Sequence, residues 1–212
     1  MYRRETLMQE KPTHIEQHIF SIGHSNHSLE TFLGLLKTHQ IEVLVDARSH
    51  PYSKYASHFD LQALKAAVTN AGIKYLFLGK ELGGRPEGAE FYDADGHVLY
   101  SRVAESPTFL NGIRRLEKGV EQFKVAILCS EENPAQCHRR LLVGHVLAGR
   151  GVALDHIRGD GRIQSETELI SEEARRNYDN GQTTLFQDNG ENAWRSIQSV
   201  LQKERRPSSS ER

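Results

Sequence analysis

The chain has 212 residues, 26% of them charged and 37% hydrophobic, with a formal net charge of -1. That is enough for one generous domain with a real core and too little for two full ones. The even charge balance excludes an overall nucleic-acid coat or membrane-surface binder, so any basic patch is local. The opening MYRRETLMQEKPTHIEQ is polar, with no apolar stretch of signal-peptide type, and no apolar run approaches bilayer-spanning length. A cytoplasmic protein is expected, in which Cys129 and Cys137 are free thiols rather than a structural disulfide.

From residue 19 to 157, short apolar runs alternate with helical patterns, the rhythm of βαβ units around a mostly parallel sheet. IFSI (19 to 22) reads as the first strand, followed by the loop GHSNHS. LETFLGLLK then aligns Leu29, Phe32, Leu33 and Leu36 on one stripe, with Ser28 as N-cap. EVLVDA (42 to 47) has the two-sided apolar character of a buried parallel strand and delivers Asp46 and Arg48 to its C-terminal end. Asp60 can cap a helix carrying Leu61, Leu64, Val68 and Ala71, which Gly72 ends, and IKYLFL (73 to 78) is the third strand.

Residues 79 to 100 are glycine-rich, with an Asp95-Gly96 turn, and read as an excursion at the sheet rim. A helix is expected from about Thr108 to Gly119, a fourth strand at FKVAILC (123 to 129), a fourth helix over 134 to 148, and a fifth strand at VALDHI (152 to 157). Weaker amphipathic patterns cover about 165 to 178 and 191 to 203. The expected organisation is an N-terminal extension (1–18), an α/β domain (19–160), a helical extension (161–203) and a disordered tail (204–212). The fold class is α/β: a three-layer, Rossmann-like or flavodoxin-like sheet of about five mostly parallel strands with helices on both faces, of 2-1-3-4-5 order or a close relative. In such sheets ligands bind outside the carboxyl ends of the strands, which directs attention to GHSNHS, DARSHPYSKY, GKELGGRP and CSEENP.

In CSEENPAQCHRR (129 to 140), Asn133, Pro134 and Gln136 fit the N-cap, N1 and N3 positions of a helix, so the loop is a possible anion cradle. Arg139 lies on the apolar stripe with Leu142, Val143 and Val146. It needs either a structural partner, Asp46 or Glu131, or an anionic substrate to clamp. Arg140 falls off the stripe, toward solvent. Cys137, placed in the first helical turn, can be a lowered-pKa nucleophile, whereas Cys129 at a strand end reads as buried and inert. Zinc could draw on Cys129, Cys137, His138 and a GHSNHS histidine, but C-x7-C-H spacing matches no standard ligand pair, and no metal is expected. Asp46 and Arg48 suit acid–base work if their pair opens on a cleft, and the Gly-Gly of LGGR permits close backbone approach to a ligand. QTTLF (182 to 186) resembles the pentapeptide by which bacterial DNA-processing proteins dock on the sliding clamp, through Gln182, Leu185 and Phe186.

Jointly, IGHSNHSLETFLGLLKTHQIEVLVDARSHPYSKYASHF, LGGR and LCSEENPAQCHRRLLVGHVLAGRGVALDHI resemble the domain of unknown function family numbered 488, over about residues 19 to 157. The resemblance implies an α/β domain whose active region comprises His24, Ser25, Asp46, Arg48, Pro51, Ser53, Gly83, Gly84, Arg85, Cys129, Glu131, Cys137, His138 and Arg139. It brings no established reaction, and it leaves the cofactor unknown. Ala47 departs conservatively from the family's Asp-Val-Arg strand end, and Tyr100 matches its tyrosine-containing helix start loosely.

The resulting expectation is an enzyme, a hydrolase or transferase, acting on a phosphate-bearing nucleotide or nucleic acid. Arg139 and Arg48 hold the anion, Asp46 or Glu131 acts as general acid or base, and His24 or His138 assists. Ser25, Ser53, Gly83, Gly84, Arg85 and Cys129 are assigned to the binding surface. The alternative is a non-catalytic nucleotide- or anion-binding accessory module that recruits a partner through QTTLF.

Overall fold

The computed structural model describes residues 17–52, 56–179 and 194–200, the side chains of 177–179 excepted. Ser53 and the QTTLF segment lie outside the described residues, as do the first sixteen positions and the tail after 200. Within them the chain folds as β1 (Gln17–Gly23), α1 (Leu29–Thr38), β2 (Val43–Asp46), α2 (Leu61–Asn70), β3 (Lys74–Phe77), α3 (Gly79–Leu82), α4 (Tyr100–Glu105), α5 (Pro107–Val120) and β4 (Val125–Cys129). A 3-10 turn (Pro134–Gln136), a π-helical turn (Arg139–Gly144), α6 (His145–Ala148), β5 (Val152–Ile157), β6 (Ile163–Ser165) and α7 (Glu166–Asp179) follow.

The six strands form one sheet in the order β3-β2-β4-β1-β5-β6. All pairs are parallel except the β5–β6 hairpin. The sheet is therefore α/β and mostly parallel, with one strand more than expected and an order different from 2-1-3-4-5. The chain leaves β1 toward β2 on one side and leaves β4 toward β5 on the other, so the switch point lies between the adjacent strands β1 and β4. Their exit loops are stitched together by His24 N–H to Cys129 O (3.1 Å) and Ser25 N–H to Ser130 O (2.9 Å).

Strand alternation divides the core between the two faces. Phe32 and Leu36 of α1, Leu64 and Val68 of α2 and Phe59 cover Ile22, Leu44 and Leu128 on one face. On the other, Leu82, Val103, Phe109, Ile113, Leu116, Leu142, Val143 and Leu147 cover Ile19, Val45 and Ile127. Ser28 caps α1 as expected, accepting from Thr31 N–H at 3.1 Å, and Gly72 stops α2 with a φ of 83° that favours glycine. The Asp95-Gly96 turn forms beside a Tyr92–Val98 bridge, within an excursion that also contains the short helices α3 and α4. Residues 194–200 are not the expected helix. They run in irregular backbone against the excursion, where Arg195 bridges Leu99 and Ser196 N–H donates to Val98 O.

The fourth helix departs most from its expected form. Asn133 does cap its start, accepting from Ala135 N–H at 3.1 Å, but the turn ends after Gln136, and Cys137 is extended (φ -99°, ψ 140°). The chain then re-enters helix through the π turn. A π turn holds more residues than the 3.6 of an α-helix, so the side-chain phase drawn from apolar spacing fails across it. Arg140, expected in solvent, is consequently buried (8% exposed) and paired with Glu166 (2.7 Å) and Glu173 (2.8 Å).

These two carboxylates belong to α7, so the region after residue 160 is part of the folded unit: β6 adds a strand and α7 closes on the π turn. Arg140→Ala removes the buried cation from Glu166 and Glu173 and leaves Glu166 with His156 as its remaining partner. It is expected to lower the unfolding free energy by about 2 kcal/mol, read from urea denaturation, because hydrogen bonds to charged groups carry that order of stability.

Candidate functional site

The sheet's alternation splits the residues expected to share one cleft into two clusters. Asp46 pairs in register with Leu128, not Cys129, and so shares the face of α1 and α2 with His24. Its carboxylate is fully enclosed (0% exposed). Oδ1 accepts from Arg48 N–H (3.1 Å) and Nε (2.8 Å); Oδ2 accepts from Arg48 Nη2 (2.6 Å) and the Tyr75 hydroxyl (2.6 Å). Arg48 Nη1 donates onward to Phe59 O at 2.9 Å.

Burial opposes the charge on Arg48, and the bond to Asp46 outweighs it, holding Arg48 above its ordinary value. Every strong acceptor direction of Asp46 is engaged, so the pair pins the loop from β2 to Phe59 instead of offering an open acid or base. His24 is buried and stacked on Phe59 (4.3 Å between centroids, 20° between planes), with Nδ1 against Ser25 O. Burial lowers its pKa to about 4; the hydrogen bond to Ser25 opposes this and the Arg48 charge adds to it.

The second cluster lies on the other face. Cys129 ends β4, Cys137 is the extended residue between two helical turns, and His138 opens the π turn. Glu131 Oε2 is 2.6 Å from Cys129 Sγ and 3.1 Å from Cys137 Sγ, and His138 Nδ1 is 3.6 and 3.8 Å from the same sulfurs. His138 Nε2 lies 3.1 Å from Ala47 O. A carbonyl only accepts, so Nε2 carries a proton and Nδ1 is the nitrogen turned to the thiols. Both cysteines are buried, Glu131 is an exposed residue, and His138 is partly exposed; the cluster is a floor of sulfur open on one side.

Arg139 sets this geometry. It is fully buried (0% exposed), yet it pairs with neither Asp46 nor the Glu131 carboxylate. Nη1 donates to Glu131 O, Nη2 to Glu132 O (2.6 Å) and Nε to Ser21 Oγ (3.1 Å). The guanidinium thus folds the loop back so that Glu131 overhangs the cysteines. Gly23 makes this fold possible, because a Cβ there would lie 1.9 Å from Glu131 O. Gly84 is pressed on the His138 ring, where a Cβ would lie 2.8 Å from Nδ1. Gly83 is buried beside Ser49, whose hydroxyl accepts from Arg85 N–H (2.9 Å) and leaves the Arg85 side chain exposed at the rim.

Behind Arg139 the polar chain continues. Ser21 Oγ accepts from Arg139, so its own proton goes to His156 Nδ1 (2.8 Å), which fixes the His156 proton on Nε2, facing Glu166 Oε2 (3.0 Å). Burial keeps His156 below its ordinary pKa. Ser21, His156, Glu166 and Tyr75 were not singled out in the sequence; a serine within the apolar IFSI run is the signal that could have found the first.

Electrostatics separates the two thiols. Cys129 is pushed well above the ordinary thiol range by its hydrogen bond to Cys137, then by burial. For Cys137 burial acts upward, but the bond from Cys129 and the positive charges of His138 and Arg139 outweigh it and hold the group well below that range. Burial disfavours charge on His138, while the Cys137 charge and hydrogen bond raise its pKa. Of the two thiols, Cys137 is the more acidic, and its charge and that of His138 favour one another. Tyr100, buried beneath the cluster, is raised by burial and then by the negative charge of Cys137, Cys129 and Glu131.

Residues 28–146 match the family described as Domain of unknown function DUF488. The chain belongs to this family. No curated protein and no solved structure matches it. The DUF488 match ends within α6, so it covers the Asp46–Arg48 pair and the whole cysteine cluster but not His24, β1, β5 or α7. Among the described residues no helix is long and apolar enough to cross a membrane. A concavity of about 340 Å³, lined by Lys37, Gln40, Ile41, Lys74 and Phe123, opens at the amino ends of the strands, opposite the cysteines.

Two measurements test these assignments. Asp46→Asn removes one partner of an enclosed ion pair, and a loss of about 3–5 kcal/mol in chemical denaturation is expected. His24 takes a proton below about 6.5 when unfolded but only below about 4 when folded. Stability attributable to it is therefore complete above 6.5 and falls as pH drops through that window, by on the order of 3 kcal/mol. His24→Asn should flatten the urea midpoint between those pH values relative to the native chain; parallel curves would show that His24 is not the titrating group.

Proposed function

We propose that this chain is an enzyme whose reaction centre is the Cys129–Glu131–Cys137–His138 cluster, acting on a phosphate-bearing substrate of the nucleotide or nucleic-acid class. The reading rests on one observation: the carboxylate of Glu131, a solvent-exposed residue, reaches both buried thiols at 2.6 and 3.1 Å, beside an imidazole that faces them. Buried thiols serving only as core packing do not need a carboxylate and an imidazole folded over them.

In this reading Glu131 is the general acid–base. It takes the proton of the attacking hydroxyl, from water or a second substrate, and returns it to the leaving oxygen, giving hydrolysis or transfer respectively. His138 turns Nδ1 to the sulfurs at the floor. Arg48 and Arg139 are occupied by protein acceptors, so the anion-binding role passes to Arg85, which follows the glycine packed on His138 and makes no ion pair among the described residues.

Turnover of a panel of nucleotides, phosphoesters and short oligonucleotides tests the assignment. Glu131→Gln is expected to lower kcat by about 10²–10⁴ while leaving the thermal midpoint unchanged. Arg85→Ala is expected to raise KM with kcat nearly intact. Undiminished turnover in Glu131→Gln would overturn the role given to the carboxylate. A nucleotide that raises the melting temperature without being consumed would favour the binding-module alternative.

A further inference from the structure

We propose that Cys129, Cys137 and His138 form a three-ligand site for a borderline-soft divalent cation of the Zn2+ type, with its fourth position opening beside Glu131. Their donor atoms, two Sγ and one Nδ1, all lie within 4.8 Å of one another. In a tetrahedral zinc centre, Zn–S and Zn–N bonds of about 2.3 and 2.05 Å place sulfur and nitrogen about 3.6 Å apart. The two sulfur–nitrogen separations here are 3.6 and 3.8 Å. Both sulfur–nitrogen edges thus match a tetrahedral cation site, and the third edge, between the sulfurs, is at most 4.8 Å.

The surroundings are those of a ligand set. His138 gives its Nε2 proton to Ala47 O, leaving Nδ1 as the only ring nitrogen facing the sulfurs, the arrangement by which metal-bound histidines are oriented. Arg139 stands behind the loop as a buried cation that holds the backbone of Glu131 and Glu132 in place. Gly84 against the imidazole prevents the ring from swinging away. The spacing of seven residues between the cysteines is unlike standard ligand pairs because the intervening Pro134–Gln136 turn, not a short knuckle, returns the chain to β4.

Glu131 Oε2 is closer to the sulfurs, at 2.6 and 3.1 Å, than the roughly 3.5 Å of a tetrahedral sulfur–oxygen edge. On cation binding the carboxylate therefore moves outward from the sulfurs, by roughly 0.5–1 Å to reach that edge length, and stays beside the fourth position. Three protein ligands with an open fourth position is the pattern of a reactive zinc, where bound water ionises near neutrality. That Glu131 receives this water's proton is the one step that rests on the catalytic reading above; the metal site itself does not depend on it.

The test uses the full chain, purified without metal-affinity steps and analysed for zinc, then exchanged with Co2+. The site predicts roughly one zinc per chain and, with Co2+, intense near-ultraviolet sulfur-to-cobalt charge transfer together with visible bands of tetrahedral strength. Cys137→Ser and His138→Asn should each lose the metal, and circular dichroism shows whether they remain folded. Glu131→Gln keeps the three ligands and should retain zinc and the cobalt spectrum while losing turnover. Absence of zinc in the fresh protein, combined with no sulfur–cobalt band on reconstitution of the native chain, overturns the metal site even if activity is found. Zinc retained with unchanged turnover in Glu131→Gln leaves the metal site standing and overturns the catalytic role of the carboxylate.

Discussion

One buried guanidinium organises the carboxyl edge of this sheet. Arg139 has no carboxylate of its own; its charge is spread over two backbone carbonyls of the loop after β4 and a hydroxyl of β1. An enclosed cation in that position is costly unless its donors are met, so the loop is bent until they are. The bend places Glu131 over Cys129 and Cys137. The same hydroxyl passes the polarity on through His156 to Glu166 and so to Arg140, tying β1, β5, the π turn and α7 into one satisfied network.

The second constraint is the two-residue period of strands. Three loops converge at the carboxyl ends of β1, β2 and β4, but adjacent residues on each strand point to opposite faces, so convergence in space is not convergence in one site. Asp46, Arg48 and His24 form a closed structural cluster under α1 and α2; Cys129, Glu131, Cys137 and His138 form an open one on the other side. The Asp46 carboxylate has its lone pairs taken, whereas that of Glu131 belongs to an exposed residue and reaches two thiols.

Much of this was legible in the chain. The buried β2 run, the stripes of α1 and α2, the Ser28 cap and the glycine stop at Gly72 are local and periodic, and they form as expected. The adjacency of the GHSNHS and CSEENP loops was also legible, because it follows from where the chain reverses across a parallel sheet. The inward orientation of Arg139 was correct, but its partners are main-chain atoms, which carry no sequence signal.

Arg140 was misplaced because apolar spacing cannot announce a π turn. Cys137 was expected inside a helix because Asn-Pro-Ala-Gln signals a start but not how soon the turn ends. Nothing local to β4 shows that Glu131 folds back on Cys129. The pairing of thiols with imidazole is a product of tertiary folding, invisible to ligand spacing.

Arg139, by bending the loop, holds Cys129 and Cys137 under one carboxylate. A dithiol-selective trivalent arsenical, followed by mass spectrometry of the intact native protein and of Arg139→Lys, tests it most directly. The account predicts one arsenical bridging both cysteines in the native chain, and loss of the bridge in Arg139→Lys, whose single ammonium cannot span the three acceptors. Independent labelling of the two thiols in the native protein, or equal bridging in a fully stable Arg139→Lys, would contradict it.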